Sequence, residues 1–129
     1  MHILVVDDEA TVRRIMRVAL SKAGYRVTLA ENGESALAAI RAQEPDVLIT
    51  DIEMPRMDGR ALCAAIKKEF PYREFPIFVV TSLTEREHRD WSGAIPNLHF
   101  LEKPVSIRQL TARLGESVGT ETVIMKVGR

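Results

Sequence analysis

Short apolar runs alternate with amphipathic stretches along almost the whole chain. Ile3-Leu4-Val5-Val6, Val47-Leu48-Ile49, Phe78-Val79-Val80 and Leu98-His99-Phe100-Leu101 are rich in β-branched and aromatic residues. Runs of that length bounded by turn or helix-start residues read as buried strands. The first is expected over about residues 2–7. A helix over about 10–23 follows, with Val12, Ile15, Met16, Ala19, Leu20 and Ala23 on one face. Gly24 ends it, where a left-handed residue terminates the last turn. Tyr25–Ala30 reads as the second strand, and Asn32-Gly33 turns the chain into a helix striped by Ala36, Leu37 and Ile40. Asp46–Thr50 is the third strand, and the loop Met54–Gly59 leads to a helix with Leu62, Ala65 and Ile66 inward. Pro76 opens the fourth strand. Thr84 is expected to cap a fourth helix, with Glu87 completing a capping box. A strand over about 97–102 and a helix carrying Ile107, Leu110 and Leu114 close the pattern.

Five βα units predict an α/β fold, a doubly wound parallel sheet with helices on both faces. Right-handed crossovers leave few topologies. The usual order for five such strands, the flavodoxin-like 2-1-3-4-5, puts the ligand crevice at the switch between strands 1 and 3. Residues 1–118 are expected to form this domain, and residues 119–129 a C-terminal tail or the start of a linker.

Bulk properties narrow the classes. The chain has 129 residues, enough for one domain with a real core. Its 18 basic and 18 acidic residues cancel, which gives no reason to expect nucleic acid or a membrane surface as a direct partner. A single cysteine, Cys63, leaves no intramolecular disulfide and fits a packed helix position in a reducing compartment. No apolar stretch approaches the roughly 20 residues that cross a bilayer. A soluble, cytoplasmic protein is expected.

The chemistry lies where the apolar runs end. Asp7-Asp8 follows the first strand, Asp51 the third, Thr81 the fourth and Lys103-Pro104 the fifth. In a parallel sheet these ends share one edge, so three carboxylates, a hydroxyl and an ammonium should meet in one crevice. Such a set suits a hard divalent cation and a phosphoryl group. Each residue alone has a plainer reading: Asp7 and Asp8 as helix caps, Lys103 as a solvated lysine, Thr81 as a strand end. The conjunction favours the site, because capping requires no acceptor, hydroxyl and lysine on three further strands. Asp58 remains the expected N-cap of the third helix.

Asp7-Asp8-Glu9 after a short apolar strand, Asp51 followed by Met54-Pro55 and Asp58-Gly59, Thr81, and Lys103-Pro104 together resemble the receiver domain of bacterial two-component response regulators. The resemblance covers about residues 2–118, and the stretch Ile3–Tyr25 looks close to the chemotaxis receiver. It implies that Asp51 is the phosphoacceptor. Asp8 would bind Mg²⁺ directly, Asp7 directly or through water, and Asp51 and the backbone carbonyl of Glu53 would complete the protein ligands. Lys103 would neutralise the acceptor and later the phosphoryl oxygens, to which Thr81 would donate its hydroxyl. Phe100, three residues before Lys103, holds the position of the family's aromatic switch. Movement of Thr81 and rotation of Phe100 would remodel the face of helix 4, strand 5 and helix 5. A switch phenylalanine lacks the tyrosine hydroxyl, so recognition there would be apolar.

The implied partners are a sensor histidine kinase or histidine phosphotransfer protein and a downstream protein target. Catalysis would be limited to the domain's own phosphorylation and dephosphorylation. The chain departs from the family around Trp91-Ser92-Gly93-Ala94-Ile95-Pro96-Asn97, where helix 4 is expected to be about a turn shorter. Ser82 follows Thr81 where the family often has alanine. Two other classes compete. A Mg²⁺-dependent aspartyl-phosphate phosphatase would place an Asp, not Glu53, two residues beyond the nucleophile. An FMN binder would carry a Gly/Ser/Thr cradle in place of Asp7-Asp8-Glu9. A single-domain regulator is the default expectation, and an excised receiver of a larger regulator the alternative.

Overall fold

In a computed structural model the described residues are 1–83 and 85–118. The elements are β1 His2–Val6, α1 Ala10–Lys22, β2 Arg26–Ala30, α2 Gly33–Ala42, β3 Val47–Asp51, α3 Gly59–Glu69, β4 Ile77–Thr81, a 3₁₀ turn Glu85–His88, α4 Arg89–Ser92, β5 Leu98–Glu102 and α5 Ile107–Val118. The five strands form one parallel sheet in the order β2-β1-β3-β4-β5, as expected from the sequence. Thr84, the expected cap of the fourth helix, and the tail 119–129 lie outside the described residues, so the capping box with Glu87 does too.

Strand alternation builds two cores from one sheet. Ile3, Val5, Val47, Ile49, Phe78 and Leu101 point to the side of α1 and α5, where Met16, Leu20, Leu110 and Leu114 meet them. Leu4, Val6, Leu48, Ile77 and Val79 point to the other side, against Ala36, Leu37, Ile40, Leu62, Cys63 and Ile66 of α2 and α3. Both faces are covered, which is why the strands read as near-continuous apolar runs.

Caps fix where the helices begin and end. Asn32 Oδ1 accepts the Ser35 N–H at 2.8 Å while Ser35 Oγ accepts the Asn32 N–H at 3.2 Å, a reciprocal cap on α2. Asp58 Oδ1 accepts the Ala61 N–H at 2.8 Å and starts α3. Gly24, at φ 96°, occupies the left-handed position after α1.

Two expectations change. The inward stripe of α1 is narrower than its apolar residues suggest. Met16 and Leu20 are buried, but Ile15 is 55% exposed and Ala23 is an exposed cap. Residue 15 sits about 100° around the helix from the buried residue 16, which turns it away from the sheet. The fourth helix is shortened further than expected, to a 3₁₀ turn and four α-helical residues. Ile95 compensates by entering the α2–α3 core at 8% exposure. The loop that carries it is held by bonds from Arg73 Nη2 to the Pro96 carbonyl and from Asn97 Nδ2 to the Glu74 carbonyl at 3.3 Å. Ala65 is half-buried, and its expected place is shared with the fully buried Cys63.

Candidate functional site

The carboxyl ends of β1, β3, β4 and β5 form one edge, and the charged residues collect there. Asp7 follows β1 and is 9% exposed; Asp51 ends β3 at 6%; Asp8 is exposed. One carboxylate oxygen from each of the three lies within 4.8 Å of the others. The Glu9 N–H donates to Asp7 Oδ1 at 2.9 Å, and Arg13 Nη1 donates to the Asp7 carbonyl at 2.7 Å. Glu9 itself is the N-cap of α1 and makes no side-chain capping bond. Asp7 therefore orders its own loop, and neither aspartate is the residue that caps the helix.

Lys103 Nζ lies 2.9 Å from Asp51 Oδ1. The contact is an ion pair to a carboxylate oxygen that is itself buried. The Lys103 N–H donates to the Thr81 carbonyl at 2.8 Å, which ties the end of β5 to β4, and the Lys103–Pro104 peptide is cis. Burial pulls the Lys103 ammonium down, but bonding to Asp51 and the nearby charges of Asp51, Asp7 and Glu53 outweigh it, and the net shift is upward. Burial raises the Asp7 carboxyl; the Glu9 N–H opposes this, and the charges of Asp51, Asp8 and Glu9 add to the rise.

This donor set fits a hard cation. An octahedral Mg²⁺ at about 2.1 Å from its oxygens sets neighbours about 3 Å apart and opposite ligands about 4.2 Å apart. Three oxygens clustered within 4.8 Å need only small side-chain rotations to reach that spacing. A cleft of about 550 Å³ opens beside them, bounded by Asp7, Asp51 and Lys103 and by the apolar side chains of Val12, Ile15, Met16, Val105 and Ile107. A second cleft of about 460 Å³ lies across the β3–α3 loop, lined by Glu53, Met54, Pro55, Asp58, Leu83 and His88.

Thr81 and Phe100 stand on the α2–α3 side of the sheet. Thr81 is fully buried, and its Oγ1 lies 2.9 Å from His88 Nε2 and accepts the Leu83 N–H at 3.0 Å. Phe100, paired in register with Val79, stacks on the His88 ring at 5.1 Å and 3°. Asp7, Asp8, Asp51 and Lys103 thus converge directly, while Thr81 and Phe100 are joined through His88. Sequence reasoning did not single out His88. A histidine and a tryptophan three residues apart on a helical turn were the available signal, and that spacing is common.

A parallel sheet with acidic loops at its switch point puts these residues in the crevice where doubly wound α/β proteins bind their ligands. A family model described as "Response regulator receiver domain" matches residues 3–115. The chain belongs to that family, the receivers of two-component signalling, which are phosphoacceptor switches that bind Mg²⁺ at an acidic pocket. It is 39% identical over 112 residues to the "Probable transcriptional regulator ycf27" of Pyropia yezoensis, covering 87% of this chain and 45% of that protein. It is 39% identical over 117 residues to the "Response regulator MprA" of Mycobacterium avium, covering 88% and 49%. The chain spans about half the length of these curated relatives. Among solved structures it resembles the chemotaxis protein CheY4 of Vibrio cholerae, with TM-score 0.82, 31% identity and coverage of 90% and 97%. It also resembles the receiver domain of NtrX from Brucella abortus, with TM-score 0.79, 32% identity and coverage of 92% and 98%. No helix among the described residues is long and apolar enough to cross a membrane.

Proposed function

We infer that residues 1–118 form a phosphorylation-dependent switch in which Asp51 accepts a phosphoryl group. One observation carries this reading: the nearly buried Asp51 carboxylate faces Asp7 and Asp8 within metal-ligand range and meets Lys103 at 2.9 Å. A carboxylate oxygen of Asp51 forms the new O–P bond as the donor's P–N or P–O bond breaks, and the leaving group takes up the electron pair. Asp7, Asp8, Asp51 and the Glu53 carbonyl would hold Mg²⁺, which supplies charge compensation for the phosphoryl oxygens. Lys103 carries a second positive charge to the same oxygens, and Thr81 offers them its hydroxyl.

The donor is a phosphohistidine on a sensor kinase or phosphotransfer protein, and the output is a protein contact through the α4–β5–α5 face. Apart from its own phosphorylation and dephosphorylation the domain turns nothing over. The phosphatase reading is weakened by Glu53, which lines the cleft where that class needs an aspartate. A second reading, that these residues are the receiver part of a longer regulator, is supported by relatives about twice the chain's matched length. The intact mass of the endogenous protein separates the two.

The direct test is incubation with acetyl phosphate and Mg²⁺, followed by intact mass. A labile gain of one phosphoryl group is expected in the wild type and none in Asp51→Asn or after EDTA. Equal labelling of Asp51→Asn would refute the assignment.

A further inference from the structure

One imidazole touches Thr81, Trp91 and Phe100. Trp91 Nε1 lies 3.1 Å from His88 Nδ1. An indole nitrogen only donates, so Nδ1 is the acceptor and the ring proton sits on Nε2. The 2.9 Å contact with Thr81 is therefore a bond donated by His88 Nε2–H to Thr81 Oγ1. With the Leu83 N–H at 3.0 Å, both lone pairs of that oxygen are occupied, and the hydroxyl proton is what Thr81 has left to offer. His88 is 6% exposed and Thr81 is fully buried. Phe100 lies flat on the His88 ring at 5.1 Å, and Trp91 meets the two rings edge-on at 5.6 and 6.0 Å.

We propose that His88 is a positioning residue for Thr81: its Nε2–H tethers the Thr81 hydroxyl toward α4 in the resting state, and release of that tether passes the movement of Thr81 to Trp91 and Phe100. The proposal rests on the reading of Asp51 as phosphoacceptor. When Thr81 turns its hydroxyl to a phosphoryl oxygen, the lone pair facing His88 rotates away. The Nε2–H of the nearly buried ring is then left without its protein acceptor, at a cost in free energy. The imidazole must shift, and a ring stacked on it at 3° must shift with it. The tether thus favours the resting state, and the phosphoryl group has to overcome it.

Two substitutions separate the arms of the tether. His88→Gln places an amide near Nε2 and keeps a donor for Thr81. His88→Asn places its amide near Nδ1, keeps a partner for Trp91 and does not reach Thr81. The probe is beryllofluoride with Mg²⁺, titrated against the emission of Trp91, the sole tryptophan of the chain. The midpoint for His88→Asn should fall at least threefold below that of the wild type, and His88→Gln should stay within about twofold of it. Equal midpoints for the two variants, or a higher midpoint for His88→Asn, overturn the proposal. Imidazole ¹⁵N spectra of the unmodified wild type give an independent measure that needs no variant. They should show His88 protonated at Nε2 before beryllofluoride is added, and protonation at Nδ1 instead overturns the proposal. A wild type that does not respond to beryllofluoride at all removes the Asp51 reading, and the proposal with it. A responding wild type with indistinguishable variants removes the proposal alone.

Discussion

A β-carbon on Gly59 would stand 2.5 Å from the carbonyl oxygen of Asp51 and 2.8 Å from the Cα of Ile52. The first residue of α3 therefore presses against the backbone of the proposed phosphoacceptor. The Gly59 N–H donates to the Ile52 carbonyl at 2.8 Å and closes the loop between them. Backbone cannot yield as a flexible side chain can, so Gly59→Ala must displace either α3 or the end of β3. A cost of about 1–3 kcal/mol is expected from overpacking, measured by urea unfolding, together with slower labelling by acetyl phosphate. Wild-type stability and labelling in Gly59→Ala would show that the loop has slack that the distances deny.

Asp8 and Asp58 should part company when replaced. Asp8 contributes an oxygen to the three-carboxylate cluster, whereas Asp58 caps α3 through the Ala61 N–H. Mg²⁺ binding to the folded state raises the melting temperature by mass action. Asp8→Ala should abolish that rise. Asp58→Ala should lower stability by about 0.5–2 kcal/mol and keep the rise. A calorimetric Mg²⁺ titration unchanged in Asp8→Ala would mean that the cation sits elsewhere.

The features legible in the sequence were those set by local rules. Strands covered on both faces gave continuous apolar runs. Gly24, Asn32-Gly33 and Asp58-Gly59 marked turns whose backbone needs those residues, and the switch-point topology gathered Asp7, Asp8, Asp51 and Lys103 at one edge. What stayed hidden depends on tertiary fit. Ile15 belongs to the apolar stripe of α1 but stays 55% exposed, at the edge of the cleft beside Asp7 and Lys103. The break of the fourth helix into a 3₁₀ turn and a single α-turn goes with Ile95 entering the core from the loop behind it. The His88 link between Thr81 and Phe100 crosses from a helical turn to two strands, and no spacing rule connects them.

Cys63 should behave as a core residue with a silent thiol. It is fully buried on α3, and burial, with Asp58 adding and Arg73 opposing, pushes its pKa from 9.0 to about 12. The folded value is the raised one. The neutral thiol's contribution to stability is thus complete below pH about 9 and is lost as pH climbs through about 12. At pH 8 an aromatic disulfide reagent should label Cys63 only at the rate of global unfolding, and denaturant should accelerate both together. Prompt labelling of the native protein would place the thiol at the surface, contrary to its burial.

Lys103 and a bound cation compete for the same negative charge. Its ammonium lies 2.9 Å from Asp51 Oδ1, and Asp7 and Glu53 add to the field that holds its proton. A divalent ion placed among the three carboxylates would sit close to that ammonium and be repelled by it. The side chain is 41% exposed, so water screens the repulsion. At roughly 4 Å in a water-like dielectric it amounts to about 1 kcal/mol per unit charge. Lys103→Met, which keeps the apolar stem and removes the charge, should therefore tighten Mg²⁺ binding by about fivefold or more. The difference should shrink as salt shortens the Debye length. The same variant should lose labelling by acetyl phosphate relative to wild type, because the second positive charge no longer meets the incoming phosphoryl oxygens. Weaker Mg²⁺ binding in Lys103→Met would mean that the lysine's main effect is to order the Asp51 carboxylate, and that its repulsion of the metal is the smaller term.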